Sequence, residues 1–136
     1  MPQLSGQTPY LEVFDMTASV AFYRELFGYE VVFASPEVET KEGRFSHFVI
    51  LRRDKIEIML NTAYDSNDRP SSRSEARWSS TRHYRLFIDC DDVAGLYAEM
   101  KDRGLRADPP DRTGYGYLGF SVTDPDGYMM TFHQPI

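Results

Sequence analysis

Thiols are almost absent from this chain: among 136 residues, Cys90 is the single cysteine. No intramolecular disulfide can form, and no cysteine pair can open a metal site. Histidine occurs three times and tryptophan once. Basic residues are outnumbered, 15 against 21 acidic ones, for a formal charge of −6 with no basic run. That balance argues against nucleic acid as a partner and would steer a cationic small ligand rather than an anionic one. No apolar run approaches membrane-spanning length. The opening MPQLSGQTPY lacks a cationic segment followed by an apolar one, so no signal peptide is expected and the cytoplasm is the expected location. Neither GxSxG nor GxxxxGK[ST] occurs, and GYGYLG at 114–119 is not followed by a helical pattern, which excludes a phosphate loop there.

Rings, by contrast, are plentiful. Nine Tyr and nine Phe bring the aromatic fraction to 14%, within an ordinary globular composition of 41% hydrophobic and 26% charged residues. The length suits one domain with a real core. Rings at this density can pack that core and can also line a surface for a flat ligand.

The order of elements repeats. TPYLEVFD (8–15) alternates as a strand, with Leu11 and Val13 facing one way and Tyr10 and Glu12 the other. A helix follows, with Val20, Tyr23 and Phe27 at helical spacing, Thr17 as its cap and Gly28 at its stop. Extended stretches come at 29–34, 45–52 and 55–60, the last two joined by a tight turn at 52–54. HYRLFIDC (83–90) then alternates again. A second helix spans 91–104 with Val93, Leu96, Tyr97 and Met100 on one face, and extended pieces lie at 105–107, 115–123 and 128–134, the last two joined by the strong turn DPDG. Asp15 to Gly28 is 13 positions, as is Asp91 to Gly104; Thr8 to His83 is 75, and Glu57 to Thr131 is 74.

The pattern predicts an α+β fold of two βαβββ modules, about 8–60 and 82–134, within a single domain over 1–136. Side by side they would form an incomplete barrel around a cleft, with the helices outside. The connector 61–81 is long, polar and rich in Ser and Arg; it folds over a site, lies against a second subunit, or is disordered.

The segments LEVFDMTASVAFYRELFGYE, HYRLFIDCDDVAGLYAEM and GYLGFSVTDPDGYMMTF together resemble the vicinal oxygen chelate superfamily, the glyoxalase/bleomycin-resistance/dioxygenase group. The resemblance covers nearly the whole chain except the connector. In metal-using members four positions supply ligands, and here they correspond to Thr8, Glu57, His83 and Thr131. Only Glu57 and His83 are ligand types, whereas a catalytic site needs three protein ligands and an open position. His133 shares a strand face with Thr131, so a displaced set of Glu57, His83 and His133 is the metal alternative, for a divalent Zn, Ni, Mn or Fe ion.

Two functions follow from the resemblance. One is a metal-independent binding protein, similar to the bleomycin-resistance proteins, that sequesters a cationic, aromatic ligand without any cofactor, as a homodimer. The other is a metal-dependent lyase, epimerase or dioxygenase of the glyoxalase type. The ligand-contact residues expected for the first are Glu12, Glu57, His83 and Arg85, which fall on one face by parity, and the rings Trp78, Tyr115 and Tyr117 in loop-like surroundings. His83 also has readings as a base oriented by Glu57 and as a structural residue, and Glu12 with Arg85 as a plain ion pair. Cys90 is expected buried beside the second helix and inert.

Overall fold

A computed structural model describes all of residues 1–136. The chain divides into two compact units, one of Met1–Arg24 with Gly28–Ser71, the other of Glu25–Phe27 with Ser72–Ile136. The fold class is α+β, as the repeat predicts, and the two units carry sheets of the same strand order.

In unit one, β1 (Tyr10–Val13) buries Leu11 and Val13 and leaves Tyr10 exposed, the expected alternation. Helix α1 (Met16–Phe27) follows. Its cap is Asp15 rather than Thr17: Asp15 has extended backbone dihedrals, and its Oδ1 accepts from Ala18 N–H at 3.1 Å, while Thr17 already lies inside the helix. Gly28 ends the helix at φ 70°, a conformation that favours glycine, and Tyr29 N–H returns to Tyr23 O at 3.1 Å. Strands β2 (Glu30–Ala34), β5 (Phe48–Arg53) and β6 (Ile56–Thr62) complete a sheet in the order β1-β6-β5-β2. Only β1 and β6 run parallel; the other pairs are antiparallel. Leu11, Val13, Val49, Leu51, Ile58 and Leu60 are buried on the core face.

Two local expectations for this unit change. A separate hairpin, β3 (Val38–Thr40) with β4 (Gly43–Phe45), sits between β2 and β5, so the third expected strand begins at Phe48 rather than at 45. The β5–β6 turn is at Asp54–Lys55, not 52–54, because Arg52 and Arg53 still pair with Glu57 and Ile56, and Asp54 takes the left-handed φ of 51° that closes the hairpin.

In unit two, β7 (Arg85–Asp89), β10 (Met129–Pro135), β9 (Tyr117–Thr123) and β8 (Asp111–Arg112) form a second sheet in the order β7-β10-β9-β8, with β7 parallel to β10 and the rest antiparallel. Neither sheet closes on itself. Helix α3 (Val93–Asp102) is capped by Asp92, which takes Gly95 N–H at 2.9 Å, and is shorter than the expected 91–104. Its Tyr97 meets Phe120 edge-on at 5.3 Å; Phe120 stacks on Phe132, and Phe27 from the last turn of α1 meets Phe132 edge-on.

Residues 105–107 are not a strand. Leu105 is buried and its N–H closes onto Met100 O at 2.9 Å, and Pro109 and Pro110 offer no donor, so pairing resumes only at Asp111. Strand β9 starts at Tyr117 rather than 115, because Tyr117 N–H is taken by Thr113 Oγ1 at 3.0 Å across the turn and Gly116 stands at φ 84°. The DPDG turn forms as expected. Asp124 Oδ1 accepts from Asp126 and Tyr128 N–H, both at 2.9 Å.

The connector carries regular structure. Its first two residues, Asn61 and Thr62, extend β6; later come α2 (Glu75–Trp78) and a 3-10 turn, Ser79–His83. In unit one Arg69 lies 3.8 Å from Asp15 and 3.9 Å from Glu42, with its guanidinium over the Phe14 ring. In unit two Arg73 Nε donates to the buried Asp126 carboxylate at 2.9 Å, and Thr81 Oγ1 bonds both Trp78 O and Asp126 O. No helix is long and apolar enough to cross a membrane.

Candidate functional site

A sheet with one buried face has a second face free for other chemistry. In unit one that face carries Tyr10 and Glu12 of β1, Glu57, Met59 and Asn61 of β6, and Phe48, Ile50 and Arg52 of β5, by parity with the buried positions. Glu57, one of the two ligand types at the four corresponding positions, lies on this face. Its Oε2 accepts from Arg52 Nε at 2.6 Å and from a second guanidinium nitrogen of the same residue, its cross-strand partner. The carboxylate therefore already has a cation, held in a forked bond of the strong kind. Phe33, from the bulged edge strand β2, is half exposed and tilts against Phe48 at 6.0 Å.

In unit two the corresponding face carries Arg85, Phe87 and Asp89 of β7, then Met129, Thr131 and His133 of β10. Thr131 is buried and its hydroxyl bonds that of Ser121 at 2.8 Å. His133 is the centre of this face. Its Nε2 lies 3.0 Å from Asp89 Oδ1; its ring stacks on Tyr117 at 4.5 Å and 25°, and Phe87 lies 5.3 Å away. Tyr115 follows Tyr117 at 5.5 Å. A carboxylate only accepts, so Nε2 donates in this bond, and Nδ1 is buried without a hydrogen-bond partner. Gly119, the cross-strand partner of His133, leaves the neighbouring backbone room. A Cβ there would stand 2.9 Å from Phe132 O and 3.2 Å from His133 Cβ.

Other expected positions land differently. His83 does not open a strand; it ends the 3-10 turn, exposed, with Tyr84 N–H returning to Thr81 O at 3.0 Å, and β7 begins two residues later. Trp78 is not on an open surface. It is 6% exposed, with Arg77 over its ring at 4.8 Å, because α2 turns it inward. Tyr115 is exposed and Tyr117 partly so. Glu12 and Arg85 fall on the faces that parity predicts. Cys90 is partly exposed rather than buried. Asp89 and Phe87 escape sequence reasoning as site residues. Their parity with Arg85 is readable, but their pairing with His133 depends on the parallel β7–β10 register.

The superfamily's metal positions do not fit a metal here. Thr8 precedes β1, Glu57 is paired with Arg52, and the Thr131 hydroxyl is engaged with Ser121. The displaced set fails too. Arg85 pairs with Met129 and Asp89 with His133, so His83 lies beyond the far end of β10, about 13 Å or more from His133 at the rise of a strand. Ligand atoms of one ion stand about 2 Å from it. No group of three or more His, Cys, Asp or Glu side chains stands together in a way that could hold an ion.

Burial pushes the Tyr29 phenol up from 10.0 to about 12, against a smaller opposite pull from Arg53.

No curated protein sequence matches the chain. Solved structures do. A bleomycin-binding protein complexed with bleomycin superposes with a TM-score of 0.71 at 22% identity, over 98% of this chain and 100% of that one. A bleomycin resistance determinant encoded on the transposon Tn5 gives 0.70 at 23% identity, over 97% and 98%. TnmS3, an antibiotic binding protein from Streptomyces sp. CB03234, gives 0.64 at 24%, over 100% and 99%. At these identities the likeness is one of fold. The sequence profile of the Glyoxalase/Bleomycin resistance protein/Dioxygenase superfamily matches residues 9–132, and the chain belongs to that superfamily.

Proposed function

We propose that this protein sequesters a small aromatic, cationic ligand and uses no metal to do so. The observation that carries the reading is the chemistry of the sheet faces. Phe87, Tyr117, His133 and the Asp89 carboxylate gather on one sheet face of unit two, while the positions that correspond to the ligands of metal-using relatives hold Thr8, Glu57, His83 and Thr131, and no trio of donors is assembled. Flat ligands bind such ring-lined surfaces by stacking, and cations gain from ring faces as well as from carboxylates. The bleomycin-binding protein supplies the analogy for a ligand of this kind. A metal-dependent lyase, epimerase or dioxygenase would need a third ligand, and no feature of the fold favours it.

We also assign a homodimer in the cytoplasm. Edge strand β2 exposes all five residues, among them Val31, Val32 and Phe33, and an apolar edge of this kind favours a covering partner. The cytoplasmic assignment rests on the lone cysteine.

Thermal unfolding in chelator-treated buffer tests the function. Bleomycin at about a hundred times its Kd should add roughly 2.7 kcal/mol of stability, and Zn, Ni, Mn or Fe should add nothing. Stoichiometric metal in protein purified without chelator, lost on Glu57→Ala, would overturn the metal-free reading.

A further inference from the structure

We infer that Asp89, held by His133 on whose ring Phe87 and Tyr117 pack, is the subsite that receives the ligand's positive charge, and that it selects a planar organic cation. This rests on the sequestration reading and assigns its charged contact to unit two rather than to Glu57.

The geometry is contained within three adjacent strands. His133 of β10 pairs with Asp89 of β7 on one side and Gly119 of β9 on the other. A side chain at Gly119 would crowd His133 Cβ, and around the imidazole runs a rank of four rings, Tyr115, Tyr117, His133 and Phe87, at successive spacings of 5.5, 4.5 and 5.3 Å. At the edge of the rank stands one carboxylate. The Asp89 side chain is 97% exposed, its Oδ1 is fixed by His133 Nε2, and its Oδ2 has no partner in the protein. His133 itself is 12% exposed, so it holds the carboxylate from below rather than competing for the same solvent.

An exposed carboxylate alone attracts any cation weakly, because water screens the charge. Ring faces change that preference. Their negative quadrupoles attract a positive charge spread over a flat system, and a flat ligand also removes apolar ring surface from water. A compact ammonium gains the carboxylate contact without the stack; a planar anion gains the stack and is repelled by the carboxylate. Only the planar cation gains both. Glu57 offers no equivalent, since Arg52 already satisfies it in a forked bond.

Fluorescence titrations with proflavine, a planar cation, and anthracene-2-sulfonate, a planar anion of similar size, test the assignment on the full chain. Wild type should bind proflavine at least about tenfold more tightly than the sulfonate. Asp89→Asn, an exposed substitution that keeps the shape, should weaken proflavine about threefold and leave the sulfonate unchanged or tighter. Glu57→Gln should change proflavine affinity less than twofold. Equal proflavine affinity in wild type and Asp89→Asn overturns the subsite, as does equal affinity for the two dyes. Bleomycin binding without proflavine binding overturns it too, while sequestration stands. If bleomycin and both dyes leave fluorescence and melting temperature unmoved, sequestration fails and the subsite fails with it.

Discussion

Met59 and His133 lie on corresponding strands of two sheets of the same strand order: each is on the central strand that runs parallel to its unit's first strand, 74 positions apart in the chain. Met59 has Tyr10 on one side and Ile50 on the other. His133 has Asp89 and Gly119. One fold thus presents an apolar row in unit one and an acid–imidazole pair with a notch in unit two. The core-facing side chains are apolar in both because burial constrains both sheets alike: Leu60 with Val49, Phe132 with Phe120. Nothing in the core dictates the opposite face, so function is free to differ there.

The sharpest way to separate the units is through their final hairpin turns. In unit two, the buried Asp124 carboxylate takes two backbone N–H groups. Asp124→Ala leaves both donors buried without an acceptor, and at roughly 1.5–3 kcal/mol for each charge-assisted bond the loss should be about 3–4 kcal/mol. Urea unfolding of the variant checks this; a loss under about 1 kcal/mol would mean that the turn is as dispensable as an exposed one.

Alkaline pH should weaken unit one next. The Tyr29 phenol keeps its proton to about pH 12 in the native state, while the same phenol in the unfolded chain ionises from about 10.0 upward. Between those values the native state binds more protons, so stability falls as pH rises, by about 2–3 kcal/mol over the window. Urea midpoints from pH 9 to pH 11.5 should fall more steeply for wild type than for Tyr29→Phe, which keeps the ring and removes the titrating group. Parallel slopes would remove Tyr29 as the cause.

Filling the notch is a smaller perturbation aimed at unit two. Gly119→Ala sets a methyl 2.9 Å from the Phe132 carbonyl, a backbone atom that yields poorly. The expected cost is about 2 kcal/mol, together with loss of the Tyr117–His133 stack, visible as a changed imidazole chemical shift. Gly114→Ala, with nothing within 4 Å, should cost less than about 0.5 kcal/mol. Equal costs would show that the close approach at Gly119 is not tight.

These contrasts mark what the sequence could tell. Alternation places Leu11 and Val13 in a core because a half-buried strand must alternate, and DPDG announces its turn through residues that take backbone bonds themselves. His83 was misplaced because strand periodicity reads straight through a 3-10 turn whose cause, Thr81 bonded to Asp126 O, lies 45 residues along the chain. Trp78 looked exposed because its neighbours are polar, but α2 rotates one ring inward without leaving a periodic signature in four residues. The Asp89–His133 pair was invisible for a different reason. Parity gives the face of each residue, whereas their adjacency needs the register of a parallel pair 44 residues apart, which no local pattern encodes.

The smallest expected effect returns to the hairpin turns, from the other side. Asp54 in unit one occupies the same topological position as the DPDG turn, yet its side chain is 86% exposed and its backbone stands at φ 51°, where an L-residue other than Asn or Asp is strained. Its carboxylate meets Arg53 only at 3.6 Å, near the surface. Asp54→Gly removes the Cβ penalty and a screened ion pair of little value, and adds unfolded-state entropy. The terms nearly cancel, leaving a change within about 0.5 kcal/mol, most readily seen as a melting temperature within a few degrees of wild type. A loss of 2 kcal/mol or more would mean that Asp54 organises its turn as Asp124 does, and the asymmetry between the two hairpins would disappear.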